Sequence, residues 1–421
     1  MQTKRLAPNT VKSLFFRDDM KMKYVIVLGD GMADEPIESL GGKTIIEAAD
    51  TPNLDAISKK SEIGLVHTIP EGMKPGSDTA NLSVLGYDPK KYYSGRSPLE
   101  ALSIGVDMKK TDIAIRCNIV TLSDDDLPYE EKTIIDHSSS EISTEDAAVL
   151  IDAVKKGLEN DIFKYYVGTS YRHLLIWDKG EVVELTAPHD ILGKVIGEHL
   201  PKQAELKEMI KKSYDILNDH PLNAERAKKG LNKANSVWFW GAGTKPALDS
   251  FEKKNNKKGV MISAVDLLKG IAVGAEMTNI NVEGADATLH TNYEGKANAA
   301  VKALTKDGYD FAYIHVEAPD EMGHQGSIEN KLLAVEYLDK KVIKTVYDGL
   351  KNAGVDFRMA VLPDHPTPIS CRTHTSTPVP YLIYDSTNEI ESSHNYNERE
   401  GKESGNYIAN GHEFINKFFE K

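Results

Sequence analysis

The apolar residues of this chain gather into short unbroken runs near both of its ends. Tyr24-Val25-Ile26-Val27-Leu28 is one such run, and Gly29-Asp30-Gly31 follows it. A continuous β-branched run closed by a turn reads as a strand buried on both faces. The shape recurs where Phe311 to Glu317 meets Ala318-Pro319-Asp320, and where Phe357 to Leu362 meets Pro363-Asp364-His365. Between these two, Leu332, Leu333, Val335, Leu338, Val342, Ile343 and Val346 recur near helical spacing and predict a helix over roughly 328–350. Strand, helix, strand is the order that builds a parallel sheet.

The middle of the chain differs. Residues 111–256 carry their own strands (Ile113 to Leu122, His173 to Trp177), their own helices, and polar linkers such as Ser123-Asp124-Asp125-Asp126. The simplest arrangement is an α/β core assembled from 22–110 and 257–421, with a second α/β domain inserted over 111–256. Residues 1–21 read as an extension outside the core. They have no long apolar stretch and no small-residue cleavage site, so they do not read as a secretory signal. Asn388 to Asn406 is polar and turn-rich, and predicts a loop or flap before a short final helix.

Composition narrows the chemistry. The chain has 421 residues, 40% hydrophobic and 27% charged, as ordinary globular proteins do. Its formal charge is −13. That balance disfavours nucleic acid or an anionic membrane surface as partner, but leaves room for a small phosphorylated substrate held by a few arginines. Two cysteines, Cys117 and Cys371, make neither a disulfide framework nor a CxxC site, and point to a reducing cytoplasm. No apolar run is long enough to span a membrane.

Each of the three strong strands ends near an Asp. In open α/β sheets, ligands bind beyond the carboxyl ends of the strands, so Asp30, Asp320 and Asp364 are expected to converge. Asp320 and His324 are four apart and share a face if the segment is helical. Asp364 and His365 are adjacent; they serve one ion from a turn, or two neighbouring ions. His374 is close enough to fold back. His315, inside an apolar strand, reads as a core histidine. Asp and His without Cys suit a borderline-to-hard divalent ion. Two such ions about 4 Å apart clamp an in-line phosphoryl displacement.

Lys74-Pro75-Gly76-Ser77-Asp78-Thr79-Ala80-Asn81 places a serine at a helix start. The plain reading is an N-cap. The functional one is a nucleophile: positive potential at the helix N-terminus and a nearby divalent ion both lower a hydroxyl's pKa. Asn81 is then a candidate to hold phosphoryl oxygens.

These residues sit in longer words: G-D-G-M-A-D at 29–34, P-G-S-D-T-A-N at 75–81, Y-Y-S-G-R-S-P-L-E-A at 92–101, S-Y-R-H-L-L at 170–175, I-S-A-V-D-L-L-K-G-I at 262–271, T-N-Y-E-G-K at 291–296, H-V-E-A-P-D-E-M-G-H at 315–324 and P-D-H-P-T-P at 363–368. Over about 22–421 the chain resembles the archaeal-type cofactor-independent phosphoglycerate mutases of the alkaline phosphatase superfamily. The resemblance implies an alkaline-phosphatase-like, mostly parallel sheet flanked by helices. It implies two divalent ions, Mn²⁺ first, with Zn²⁺, Co²⁺ or Mg²⁺ as alternatives, and no 2,3-bisphosphoglycerate. Asp320, His324 and His374 would hold one ion; Asp30, Ser77, Asp364 and His365 the other. Ser77 would take the phosphoryl group of 3-phosphoglycerate and return it to the 2-hydroxyl. Arg172, Arg116 and Lys269 are the implied substrate cations. The wording departs from the family's usual one at Trp240-Gly241-Ala242-Gly243, at Glu283 to Ala287 and at His137, outside the metal and nucleophile positions. The alternatives are a homoserine kinase-like activity, which a related branch with similar I-S-A-V-D-L-L-K wording suggests although no Walker A motif occurs here, a phosphomonoester hydrolase, and a metal-stabilised binding protein, against which the intact Ser77 speaks.

Overall fold

The computed structural model describes residues 21–420, so the expected extension lies outside the described residues except for Lys21. In chain order the strands are β1 (Lys23–Gly29), β2 (Ser61–Val66), β3 (Ile113–Leu122), β4 (Ile134–Asp136), β5 (Phe163–Tyr166), β6 (Arg172–Trp177), β7 (Ser236–Thr244), β8 (Gly259–Ile262), β9 (Thr278–Asn279), β10 (Phe311–Val316), β11 (Phe357–Leu362), β12 (Val379–Asp385) and β13 (Tyr407–Ile408). Eight of them form one sheet in the order β13-β2-β12-β11-β1-β10-β8-β9. Its centre is parallel: β1 pairs with β10 and β11, and β10 with β8. Only β12 runs against its neighbours. The three strands singled out by their apolar runs are thus adjacent in the sheet, and the register Leu28↔His315 and Leu28↔Leu362 brings their carboxyl ends level.

The unbroken runs follow from burial on both faces. Val25 and Val27 enter one core with Ala312, Ile314, Met359 and Val361. Tyr24, Ile26 and Leu28 enter the other with Phe311, Tyr313, Ala360 and Leu362. Each Val, Leu, Ile, Met or Phe among them contributes about 1.5–3 kcal/mol by leaving water, and the charged or imidazole side chains within these strands are Lys23, His315 and Arg358.

β3, β4, β5, β6 and β7 form a second, antiparallel sheet, whose strands all lie between residues 113 and 244. Along β3, Ile113, Ile115, Cys117 and Ile119 face a core closed by the helices Thr144–Leu158 and Ala204–Leu217. Ala114, with Leu174 and Ile176, packs instead toward Ala101 of the helix Arg96–Ser103. That helix crosses the helix Asp266–Gly274 so closely that a Cβ on Gly270 would lie 1.8 Å from the Leu99 carbonyl oxygen. Only glycine fits this crossing, which fixes Arg96 and Lys269 relative to each other.

Two segments differ from expectation. The helix near 328–350 is interrupted by a π turn, Leu338–Ile343, between Ile328–Tyr337 and Lys344–Asn352. Inside the turn the buried Asp339 accepts the Leu54 N–H at 2.6 Å and so caps the helix Pro52–Ser58, whose own Thr51 does not. The expected flap at 388–406 contains the helix Glu398–Glu403, capped by Asn397. It is pinned, because Glu398 accepts the Asp34 N–H at 3.0 Å and the Thr44 hydroxyl at 2.6 Å.

Candidate active site

Asp30 is the first residue beyond β1 and Asp364 the second beyond β11. Both are buried, as is His365. The turn Asp30-Gly31 needs its glycine: φ is +60°, and a Cβ would lie 2.5 Å from an Asp320 carboxylate oxygen. Asp364 Oδ1 accepts the N–H groups of Gly31 (3.1 Å) and His365 (2.8 Å), and its Oδ2 accepts from the Asn81 amide at 2.9 Å. His365 Nε2 lies 3.6 Å from Asp30 Oδ1 and 3.5 Å from Asp364 Oδ2. The Ser77 hydroxyl completes this group, 3.1 Å from His365 Nε2.

Ser77 is not an N-cap. It is the first residue of the helix Ser77–Val84, Gly76 holds the cap position, and the hydroxyl is turned toward His365. Asn81, one turn on, has no amide group left for a phosphoryl oxygen: its NH₂ also donates to the Ser77 carbonyl at 2.8 Å, and its carbonyl accepts from the Tyr313 hydroxyl at 2.5 Å. It is fully buried, and the partners of its side chain are Asp364, the Ser77 carbonyl and Tyr313 rather than the cavity.

The second group stands on the helix Ala318–Gln325 and the loop after β11. His324 Nε2 lies 3.2 Å from Asp320 Oδ2, His374 Nε2 lies 3.5 Å from Asp320 Oδ1, and the two Nε2 atoms are 3.0 Å apart. His324 Nδ1 donates to the Arg372 carbonyl at 2.9 Å, so its Nε2 is the atom offered to the site. Arg372 takes a left-handed φ of 55° there. The Thr367 hydroxyl donates to Asp320 Oδ1 at 2.5 Å. The His365 and His374 rings are 4.1 Å apart, so the two groups abut.

The electrostatics call for cations. Burial, and then the charges of Asp364 and Asp320, push the Asp30 carboxyl well above its ordinary range. Its Oδ1 is buried without a hydrogen-bond partner among the described residues. Burial acts upward on Asp320 too, but the imidazoles of His324 and His374 hold it well below the usual carboxylate range. The bond to Asp320 raises His324 to about 9, whereas burial lowers His365. Donor atoms of Asp320, His365 and His374, and of Asp30, His315 and Asp364, lie within 4.8 Å of one another. The orphaned oxygen and the oxygen-and-imidazole donor sets fit divalent ions.

Beside these groups is a cavity of about 380 Å³ lined by Arg96, Arg116, Arg172, Lys269, Glu100 and Glu321. Glu100 holds two of the guanidiniums, Arg96 at 3.0 Å and Arg116 at 3.3 Å, and Arg116 also stacks on Trp240. Arg172 is exposed and rests on Tyr171. Glu321 follows Asp320 directly; burial and then the Asp320 charge raise its pKa, opposed by His324 and, less, by Arg172. The cavity therefore joins the metal-type groups to the second sheet.

A family model described as 2,3-bisphosphoglycerate-independent phosphoglycerate mutase matches residues 58–223. A protein of that name from Methanosarcina barkeri is 50% identical over 86% of this chain and 90% of its own length. The chain belongs to the 2,3-bisphosphoglycerate-independent phosphoglycerate mutase family. Among solved structures, a protein of Pyrococcus horikoshii is similar at 29% identity and TM-score 0.79, covering 95% of this chain and 97% of that one. The cofactor-independent phosphoglycerate mutase of Thermoplasma acidophilum is similar at 25% identity and TM-score 0.63, covering 94% and 99%.

Against this family background, the structure brings Asp30, Ser77, Asp364 and His365 together, and Asp320, His324 and His374 beside them. Arg116, Arg172 and Lys269 share the adjoining cavity. Sequence reasoning missed Arg96 and Glu100, although both stand in the 92–101 word and, four apart, share a helix face. It also took His315 for a core residue. His315 is indeed fully buried, but its Nε2 lies 3.2 Å from Asp30 Oδ2. The signal was Glu317 two residues later, on the same face of the extended chain.

Proposed function

We propose that this protein interconverts 3-phosphoglycerate and 2-phosphoglycerate in the cytoplasm, as a step of glycolysis and gluconeogenesis, through a phosphoserine on Ser77. The observation that carries the reading is the Ser77 hydroxyl at the N-terminus of its helix, 3.1 Å from His365 and beside the Asp30–Asp364 carboxylates. Asp30, Ser77, Asp364 and His365 would hold one divalent ion and Asp320, His324 and His374 a second. When bound, these ions supply Lewis-acid charge that lowers the serine hydroxyl pKa and offsets charge on the phosphoryl oxygens.

The chain's own residues do the rest. Ser77 Oγ forms a bond to phosphorus as the bond to the substrate's 3-oxygen breaks. The 2-hydroxyl then attacks the phosphoserine, the Ser77 ester bond breaks, and the net proton moves from the 2-oxygen to the 3-oxygen. Nothing is oxidised or reduced, and no second phosphoryl donor enters. Arg96, Arg116, Arg172 and Lys269 hold the trianionic substrate and keep glycerate in place while it turns. We treat residues 111–256 as the inserted domain that presents Arg116 and Arg172.

The test supplies purified protein with Mn²⁺ and 3-phosphoglycerate, without bisphosphoglycerate, and couples 2-phosphoglycerate to enolase. Absence of product from metal-loaded protein overturns the mutase reading. Release of inorganic phosphate in its place indicates a hydrolase, and turnover of homoserine with ATP a kinase.

A further inference from the structure

Asp30 has two carboxylate oxygens with different surroundings. Oδ1 faces His365 within the candidate metal group. Oδ2 faces away, toward His315 Nε2 at 3.2 Å. Behind His315 is a continuous buried line. Its Nδ1 lies 3.1 Å from Glu317 Oε1 and 3.3 Å from the Ser263 hydroxyl. Glu317 Oε1 also accepts the Ser263 hydroxyl (3.0 Å) and the Ala264 N–H (2.9 Å). Its Oε2 takes the Lys296 ammonium at 2.5 Å, and Lys296 donates as well to the His315 carbonyl at 3.0 Å. Lys296 and His315 are 0% exposed, Glu317 2% and Asp30 4%.

A lysine, a glutamate and a histidine this deep are costly to bury unless each is paired. Here the pairing runs in one direction and ends on a carboxylate whose other oxygen has no partner. His315 Nδ1 and both oxygens of Glu317 are engaged, and Nε2, with no hydrogen-bond partner among the described residues, meets Asp30 Oδ2 as an ion-pair contact. Held at Nδ1 by Glu317 and Ser263, the ring keeps Nε2 turned toward Asp30. Carboxylate–histidine pairs of this kind orient the groups that touch a metal. The second group, Asp320–His324–His374, has a backbone carbonyl and a threonine behind it in place of a buried ion chain.

We infer that His315 is a positioning residue for Asp30, held by Glu317 and Lys296, and that this line sets the affinity of the Asp30 ion without touching the Asp320 ion. The inference rests on the two-ion reading of the site.

The test is Mn²⁺ titration of the full chain by calorimetry, with manganese EPR of the bound ions. The parent protein binds two ions. His315→Leu, which keeps bulk but no donor, weakens one of them by about 10–100-fold and leaves the other within about threefold. His315→Gln, whose amide N–H reaches toward Asp30, restores most of that loss. The double variant Lys296→Met with Glu317→Gln removes the far end of the line without stranding a charge, and shows a smaller loss at the same ion; it decides the matter if His315→Leu does not fold. Parent affinity at both ions in either variant, or equal weakening of both, overturns the inference. So does loss of a nitrogen coupling from the EPR of the His315 variants, which would make His315 a ligand itself. A parent protein that binds no divalent ion instead overturns the two-ion reading.

Discussion

The two candidate metal groups abut, yet they are built in opposite ways. In the Asp30 group, Asp30, Asp364 and His365 follow the ends of central parallel strands and are buried, the half-buried Ser77 joins them from a helix start, and the spare atoms of Asp364 are taken by Gly31, His365 and Asn81. The Asp320 group stands on a helix and a loop, and the side chains of His324 and His374 are 36% and 24% exposed. The difference shows in the protons. Burial keeps the His365 imidazole toward its neutral form, whereas Asp320 holds His324 toward its charged one. A cation entering the Asp320 group must displace that proton. The carboxylates and imidazole of the first group are enclosed and hydrogen-bonded within the fold, and the imidazoles of the second reach solvent.

The largest effect that would sharpen this contrast is at Ser77. Ser77→Ala should lower turnover by at least about 10⁴-fold, as loss of a nucleophile does. The two-ion stoichiometry of a Mn²⁺ titration should survive, because the carboxylates and imidazoles remain. Retained activity would remove Ser77 from the mechanism.

Next comes a lysine that ties the two groups together. Lys331 is fully buried, and its ammonium donates to Asp34 (2.8 Å) and to the carbonyls of Ala33 (3.2 Å) and Thr367 (2.8 Å). It joins the loop after Asp30 to the loop that carries Thr367. Lys331→Met strands the Asp34 charge and should cost about 3–5 kcal/mol of stability in urea unfolding. An unchanged midpoint would show that the loops do not depend on it.

A third effect separates the groups by pH. His324 titrates near 9 in the ion-free fold, above its ordinary value, because of Asp320. Its contribution to ion-free stability is full below the unfolded pKa of about 6.5 and fades as pH rises through about 9. Metal binding has the reverse dependence. Affinity at the Asp320 group should climb by up to about tenfold per unit from pH 7 to 9 and then level. Flat affinity across that range would refute histidine ligation there. The smallest effect is on the substrate side: Arg172→Ala should raise KM for 3-phosphoglycerate by about tenfold, the worth of one charged hydrogen bond. A change confined to kcat would argue for a different role.

Much of this site was legible because strand ends are punctuated in the sequence. An apolar run must stop where the sheet stops, so Asp30, Asp320 and Asp364 announced themselves. Lys331 did not, and Asn81 was legible as a site residue but not in its contacts with Asp364 and Tyr313. On a helix, an Asn or Lys looks the same in sequence whether its side chain reaches water or a buried carboxylate. His315 was hidden by the opposite ambiguity, since inside a strand a core imidazole and a site imidazole read alike until its partner is known. Arg96 and Glu100 were legible as an i, i+4 pair on a helix, but not as the wall of a cavity shared with Arg116.

What the sequence determined by itself is local and chemical: which runs become buried strands, which residue types close them, and that Asp, His and a helix-start Ser recur without Cys. These follow from burial and chain geometry within a few residues. What only the tertiary structure decided is which oxygen of Asp30 faces a metal group and which faces His315, and that a lysine 19 positions before that histidine anchors the line. Those depend on side chains far apart in the chain meeting where water is excluded. There the strength of a charge is set by its neighbours in space, not its neighbours in sequence.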